Sequence, residues 1–247
     1  MKSFKIVLSA VALASVLAFS SCLGESNESD YPMYRNVGVT VAAGGFSLLA
    51  DNGSYLNPTT MVQGLENVER AAVSFNLASG EALELQPGKS YDVVINTAYS
   101  YAIPTYSVID LYGNEAARDS LVNTQTGISR IGGMYAVNGY VTLEATLPVD
   151  VSKTPYVDVA YNSKENVDVA GKKLNLQFYY DAKSEYTSQT ASSVFSFRLP
   201  ADAYTKFMEN QVDSIDLVMT YQAGYTSLEQ GRAECRMAVK DLCRPMF

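Results

Sequence analysis

The sequence contains no histidine and no tryptophan. Without histidine the commonest general base is missing, and so are the imidazole ligands usual for zinc and copper. Without tryptophan the strongest stacking platform for sugars and cationic ligands is missing. Cysteine is scarce, with three residues in 247. Basic residues are also short, 18 against 26 acidic, for a net charge of −8. That balance argues against nucleic acid, whose phosphates demand Lys/Arg patches. It argues equally against electrostatic docking on anionic lipid. No Ser sits in a Gly-x-Ser-x-Gly elbow, and no Asp-x-Asp-x-Asp-Gly loop offers the oxygen ligands calcium needs. Carboxylate pairs such as Glu81/Glu84 and Asp213/Asp216 could serve as acid and base. On β hairpins they read as solvated rim charges. The expectation is a protein that is not an enzyme and uses no metal or cofactor.

The one sustained apolar run, Ile6–Phe19, follows Lys2 and Lys5 and ends in Ser20-Ser21-Cys22. It is short of the roughly 20 residues a membrane span needs. Charged, apolar, then small is the order of a secretory signal. A cysteine directly after the small residues resembles a bacterial lipoprotein signal, with 1–21 removed and acyl chains placed on Cys22. That segment holds two of the 18 bases and none of the 26 acids, so the remainder carries −10. Residues 22–32 read as an acidic flexible tether. Glu25, Glu28 and Asp30 resemble the surface-export signal of Bacteroidetes lipoproteins. The expected location is the outer membrane, on its periplasmic face or the cell surface, held by the acyl chains.

From residue 33 the pattern is β almost throughout. Val37–Ala42, Arg70–Leu77, the strand bearing Tyr91, Val93 and Ile95, and Thr105–Tyr112 are short strands separated by Gly/Pro turns, as in a small barrel or sandwich. Residues 113–138 are less regular, with a helical stretch at Glu115–Val122, and the domain boundary is placed at residue 130. Beyond it the period of two is clear. Val141, Leu143, Ala145 and Leu147 alternate with polar residues up to Pro148. Leu174–Tyr180, Phe195–Leu199, Ile215–Tyr221 and 232–240 behave likewise. Only Ala201–Val212 has helical spacing, with Asp202 as its cap. The reading is all-β: a barrel domain over 33–130 and an antiparallel β-sandwich with one short helix over 131–247. Cys235 alternates with Ala233, Met237 and Val239 and reads as a small buried hydrophobe. A disulfide to Cys243 is the alternative, and it would need a turn near Asp241–Leu242.

Several segments resemble the NigD-like lipoproteins of Bacteroidetes. They are Val73-Ser74-Phe75-Asn76-Leu77 with Tyr91–Asn96 in the first half. In the second they are Gly139–Leu143, Leu174–Asp181 and Phe195–Pro200. The resemblance implies an N-terminal OB-type barrel and a C-terminal sandwich, no catalytic residues, and an association with bacteriocin operons that points toward immunity or envelope protection. At Glu69-Arg70-Ala71 the chain departs from the Gly-Arg-Val step frequent in that family.

Tyrosine is the one residue type in excess, with 18. Tyr suits a half-wet strand face, so strand packing accounts for most of them. The candidate ligand contacts are Tyr99, Tyr101 and Tyr106, with Tyr99 and Tyr101 placed on one face of a barrel strand. The expected partner is a protein or a glycan, not nucleic acid. Asp119-Ser120-Leu121 and Asp213-Ser214-Ile215 resemble the acceptor for O-glycosylation in Bacteroidetes, making Ser120 and Ser214 candidate sites. The leading functional expectation is a non-catalytic binding or envelope-interaction protein, with bacteriocin-related protection as its sharper form. A glycan-binding component of a nutrient-uptake system and a fimbrial or adhesin subunit are the alternatives.

Overall fold

The computed structural model describes residues 33–42, 44–81, 83–122, 126–184, 189–224 and 229–243. The signal segment, Cys22, the tether, Tyr186, Tyr225 and the terminal Arg244–Phe247 lie outside the described residues. Strands β1 (Tyr34–Val41), β2 (Leu48–Ala50), β3 (Tyr55–Pro58), β4 (Arg70–Leu77) and β5 (Ser90–Ile95) pair in the order β1-β2-β3-β5-β4, and β4 pairs back to β1. This closes a five-stranded barrel of the OB type. A two-residue strand, β6 (Tyr101–Ala102), adds to β4. Successive strand residues point to opposite faces, so Val39, Val41, Ala71, Val73, Phe75 and Leu77 fill the interior. Val62 and Leu65, from the long β3–β4 connection, pack into the same core. Tyr34 stacks on Phe75 at 4.9 Å between centroids, and its hydroxyl bonds both the N–H and the C=O of Leu83, pinning the β4–β5 loop.

The rest of the chain forms two further sheets. Their strands are β7 (Thr105–Ser107), β8 (Ile109–Asp110), β9 (Arg130–Val137), β10 (Tyr140–Val149), β11 (Tyr156–Tyr161), β12 (Val167–Asp168), β13 (Lys173–Asp181), β14 (Gln189–Arg198), β15 (Ser214–Gln222) and β16 (Gln230–Ala238). One sheet runs β7-β14-β10-β9. The other runs β16-β15-β13-β11-β8, with β12 on β13. The inner faces meet in one apolar core that includes Val141, Leu143, Phe178, Phe195, Phe197, Leu217 and Met219. Phe178 and Phe197 meet edge to face at 6.2 Å, the arrangement their ring quadrupoles favour. Helix α1 (Glu115–Val122) lays Leu121 over Ala160 and Tyr179 on the outer side of the second sheet. Helix α2 (Asp202–Glu209) inserts Ala203 and Phe207 into the core.

Several expectations change. Pairing passes from barrel to sandwich near Pro104, not at residue 130, because β7 and β8 hydrogen-bond to β14 and β11. The single strand expected at Thr105–Tyr112 is two pieces, and buried Val108 marks the crossing from one sheet to the other. The irregular stretch 113–138 contains β9, joined to β10 by Asn138-Gly139. Both residues have positive φ, 56° and 83°, the signature of a two-residue hairpin turn. β10 continues through Pro148 to Val149. Its pairing to β9 ends at Thr146, so only β14 remains alongside and proline's missing N–H is tolerated. Asp202 does not cap α2. Ala201 holds the cap position without a side-chain bond, and Asp202 accepts from the Tyr161 hydroxyl at 2.9 Å. Cys235 and Cys243 are free thiols, and Cys235 packs against the sandwich core.

Candidate functional site

The chemistry concentrates where the barrel meets the sandwich. On β4 the odd-numbered residues face the barrel core, so Arg70, Ala72 and Ser74 face outward, as Gly38 and Thr40 do on β1. The outer face of β10 and β14 presents Tyr140, Thr142, Ser196 and Arg198. These two faces bury one another: Arg70, Thr40, Thr142 and Ser196 are all buried, while Ser74, further along β4, is covered within the barrel by Asn36, Tyr99 and Ser100. The Arg70 guanidinium is wholly buried and grips Asp51 at both oxygens, 2.6 and 2.9 Å. It also donates to Thr40 at 3.1 Å and to Thr142 at 3.5 Å, and lies 5.7 Å from the Tyr140 ring centroid. From the sandwich, the Tyr135 hydroxyl donates to Asp51 at 3.1 Å and Tyr140 donates to Glu69 at 2.9 Å. Asn138 donates to Thr40 at 3.4 Å. Arg198 bridges Glu69 at 3.0 Å and Ser107 at 2.7 Å.

Burial pulls the Arg70 proton affinity down, but the hydrogen bond and charge of Asp51 more than restore it, and the net shift is upward. Burial, and then the Asp51 charge, push Tyr135 up to about 12. Both groups therefore hold one protonation state at neutral pH, with Arg70 a fixed cation and Tyr135 a fixed donor. A bidentate Arg–carboxylate pair inside a network of neutral hydroxyls makes a cohesive joint. It does not make a general acid or base. Arg70 Nε is the one fully buried side-chain nitrogen or oxygen without a partner among the described residues. Close approach requires Gly38, since a Cβ there would meet Asp51 Oδ2 at 2.2 Å.

The residues singled out from the sequence are dispersed. Tyr99 closes a 3-10 turn, Thr97–Tyr99, opened by the Asn96 side chain, while Tyr101 lies on β6. They do not share a strand face. Ser100 fixes the turn to β4 by accepting from Ser74 N–H at 3.0 Å. Tyr99 and Tyr101 are exposed, and Tyr101 borders a hollow of about 120 Å³ with Gln63, Thr97 and Ser100. That is below the range of small-molecule pockets. Tyr106 belongs to the sandwich. It lies on β7, 38% exposed, stacked on Phe197 at 5.9 Å. A second hollow, about 300 Å³, lies between Ser107, Arg198 and Tyr204. Ser120 is exposed on α1. Ser214 is half-buried and accepts from Arg236 at 3.1 Å. No group of three His, Cys, Asp or Glu suited to a metal occurs among the described residues. Among them, too, no helix is long and apolar enough to cross a membrane. Sequence reasoning did not single out Arg70, Asp51 or Tyr135. The available signal was a lone charge opening the apolar strand Arg70–Leu77.

Residues 112–228 match the family described as NigD-like C-terminal beta sandwich domain. No curated protein matches the chain. Among solved structures, a protein of Parabacteroides distasonis described as toxin-related superposes with a TM-score of 0.57 at 17% identity, over 85% of this chain and 95% of its own. A Bacteroides fragilis protein described as a lipoprotein gives 0.56 at 13% identity, over 84% and 98%. A NigD-like immunity protein from Bacteroides caccae gives 0.52 at 17% identity, over 84% and 94%. At such identities the likeness establishes a shared two-domain fold.

Proposed function

We infer that this chain, whose residues 112–228 form a NigD-like C-terminal β-sandwich domain, is an envelope protein that binds a partner and performs no reaction on it. The observation that carries the reading is the joint one of family and fold. A NigD-like immunity protein shares the two-domain architecture over 94% of its length. The polar seam supports the same reading, since its ionised and hydroxyl groups are spent on holding two domains together. Cys22 anchors the protein at the outer membrane through acyl chains, and the partner is a protein, in the sharper form a bacteriocin-like toxin.

The test is a deletion strain challenged with toxin preparations from neighbouring strains. Deletion is expected to sensitise the cells. The wild-type gene should restore protection, and Cys22→Ala should not, while also losing incorporation of labelled palmitate. Unchanged sensitivity to every preparation, together with poorer growth on a polysaccharide, would replace this reading with glycan capture.

A further inference from the structure

The two ends of the barrel are built from different residues. β1 and β2, β2 and β3, β4 and β1, and β4 and β5 all pair antiparallel. The β1–β2 turn and the β3–β4 connection therefore gather at one end. The β2–β3 turn, the β4–β5 loop and the entry of the chain at Tyr34 lie at the other. The entry end is charged, with Arg35, Glu81, Glu84 and Lys89 all exposed. At the far end, residues 42–47 and 59–65 contain no charged residue. The next two acids are already engaged: Glu66 accepts from the Gly64 N–H at 2.8 Å, and Glu69 pairs with Arg198.

Two large apolar side chains stand open at the far end, Phe46 at 66% and Met61 at 54% exposure. Phe46 is placed by its turn, its ring lying so near Gly44 that a Cβ there would meet it at 3.1 Å. Met61 is placed by its neighbours Val62 and Leu65, which are buried in the barrel core. The two segments touch, since a Cβ on Gly45 would lie 3.6 Å from the Leu65 carbonyl oxygen. The hollow of about 120 Å³ bordered by Gln63 and Tyr101 continues the same surface. Phe, Met and Tyr without Lys, Asp or Glu is the composition of the buried centre of a protein–protein interface. Leu83, the open apolar residue of the entry end, lies instead between Glu81 and Glu84 in the chain.

The point at which the chain enters the barrel separates a lipid occupant from a protein one. Cys22 lies eleven residues before Met33, and an anchor there draws the charged entry end toward the membrane. Along β1 the far end is set roughly 23 Å further on, at about 3.3 Å per residue. The apolar end therefore points away from the lipid surface. We propose that this end of the barrel, centred on Phe46 and Met61, is the docking surface for a protein partner whose own contact surface is apolar and uncharged. The proposal rests on the binding reading and the Cys22 anchor above, and it names the surface that the partner meets.

The test complements the deletion strain of the challenge assay with full-length variants. Phe46→Asp combined with Met61→Asp should lower the tolerated toxin dose at least about tenfold, as loss of central apolar anchors predicts. The milder pair Phe46→Ser with Met61→Ser should act in the same direction. Leu83→Asp, at the entry end, should protect like the wild-type gene. All three should keep palmitate labelling and an unchanged urea midpoint, because the altered side chains are exposed. Full protection by both altered pairs, or an equal loss in Leu83→Asp, would overturn the proposal. The other occupants can be read directly, since the chain has no tryptophan and Phe46→Trp supplies a sole indole. Quenching of that indole in the acylated protein by phosphatidylcholine vesicles with brominated chains would put lipid on this end and overturn the proposal. A dimer in sedimentation that Phe46→Asp dissociates would put a second copy there and do the same. Protection retained by both altered pairs removes this surface and leaves the binding reading standing. No protection from the unaltered gene removes the binding reading, and the proposal with it.

Discussion

The β7-β14-β10-β9 sheet is buried on its inner face and, where the barrel covers it, on its outer face, and the two buried surfaces are built from opposite materials. The inner face is Val141, Leu143, Ala145 and Leu147 with Phe195 and Phe197. The outer face, pressed on the barrel, is Tyr140, Thr142 and Ser196 against Thr40 and Arg70. The difference reflects what each face is buried against. The inner face closes as the sandwich folds, and apolar burial near 25 cal/mol per Å² drives it. The outer face joins two domains that each have their own core. A face of hydroxyls and one internal ion pair satisfies its own polar groups at the joint. Arg70 and Asp51 both belong to the barrel, so docking does not have to bring the charges together. It surrounds an existing pair with Tyr135 and Thr142.

The largest test of this contrast is Arg70→Ala. It strands the Asp51 carboxylate under the sandwich and should cost about 3–5 kcal/mol, as broken buried pairs do. The double variant Arg70→Met with Asp51→Leu should recover most of that loss, because the desolvation cost of both charges disappears with them. Urea midpoints at constant slope would measure both. A single-variant cost near zero would mean that water reaches the seam. On the inner face Leu143→Ala should cost about 2–5 kcal/mol, and no second deletion should restore it. Rescue on one face and none on the other is the contrast in its sharpest form.

How much of this could be read from the residues follows the same division. β4 and α1 have the bounds expected of them, Arg70–Leu77 and Glu115–Val122; in β4 the alternation of Val73, Phe75 and Leu77 marks the face that fills the barrel. β9 is obscured in the sequence because Gly132 and Gly133 interrupt its alternation, although Asn138-Gly139 is a hairpin signal. The seam was not legible. Thr142 and Glu144 alternate with Val141, Leu143 and Ala145 as any water-facing row would, and local pattern cannot tell water from a second domain. Tyr99 departs from the expected strand for a local reason. Its side-chain-capped turn at Asn96 breaks the strand that Tyr99-Ser100-Tyr101 imitates.

A smaller effect separates the faces by pH. Tyr135 ionises near 12 in the folded protein and near 10 in an unfolded chain. Between those values the unfolded chain has released the proton and the folded one still holds it. Stability therefore falls as pH rises through that window, by up to about 2.7 kcal/mol for the two-unit difference. Tyr156 and Tyr161 are also raised, so the unaltered protein weakens in alkali for several reasons. The informative quantity is the difference from Tyr135→Phe, whose alkaline decline should be shallower. Thermal melts from pH 9 to pH 11.5 would show it. Leu143→Ala should shift the whole curve down without changing its slope.

The smallest effect is expected at the rim. Arg198 and Glu69 pair across the seam at 3.0 Å with both side chains more than a third exposed. Water screens such a pair, and ordering two long side chains offsets most of its attraction, so Arg198→Ala should cost no more than about 1 kcal/mol. The loss should shrink further in 1 M salt, where the screening length is about 3 Å. The Arg70–Asp51 pair, sealed a few residues away, should keep its value under the same salt. Two ion pairs begin at adjacent residues, Glu69 and Arg70, and the sandwich covers one and not the other. Their divergence in salt would therefore measure how tightly the two domains are closed, and a parallel response would show that the seam admits solvent along its whole length.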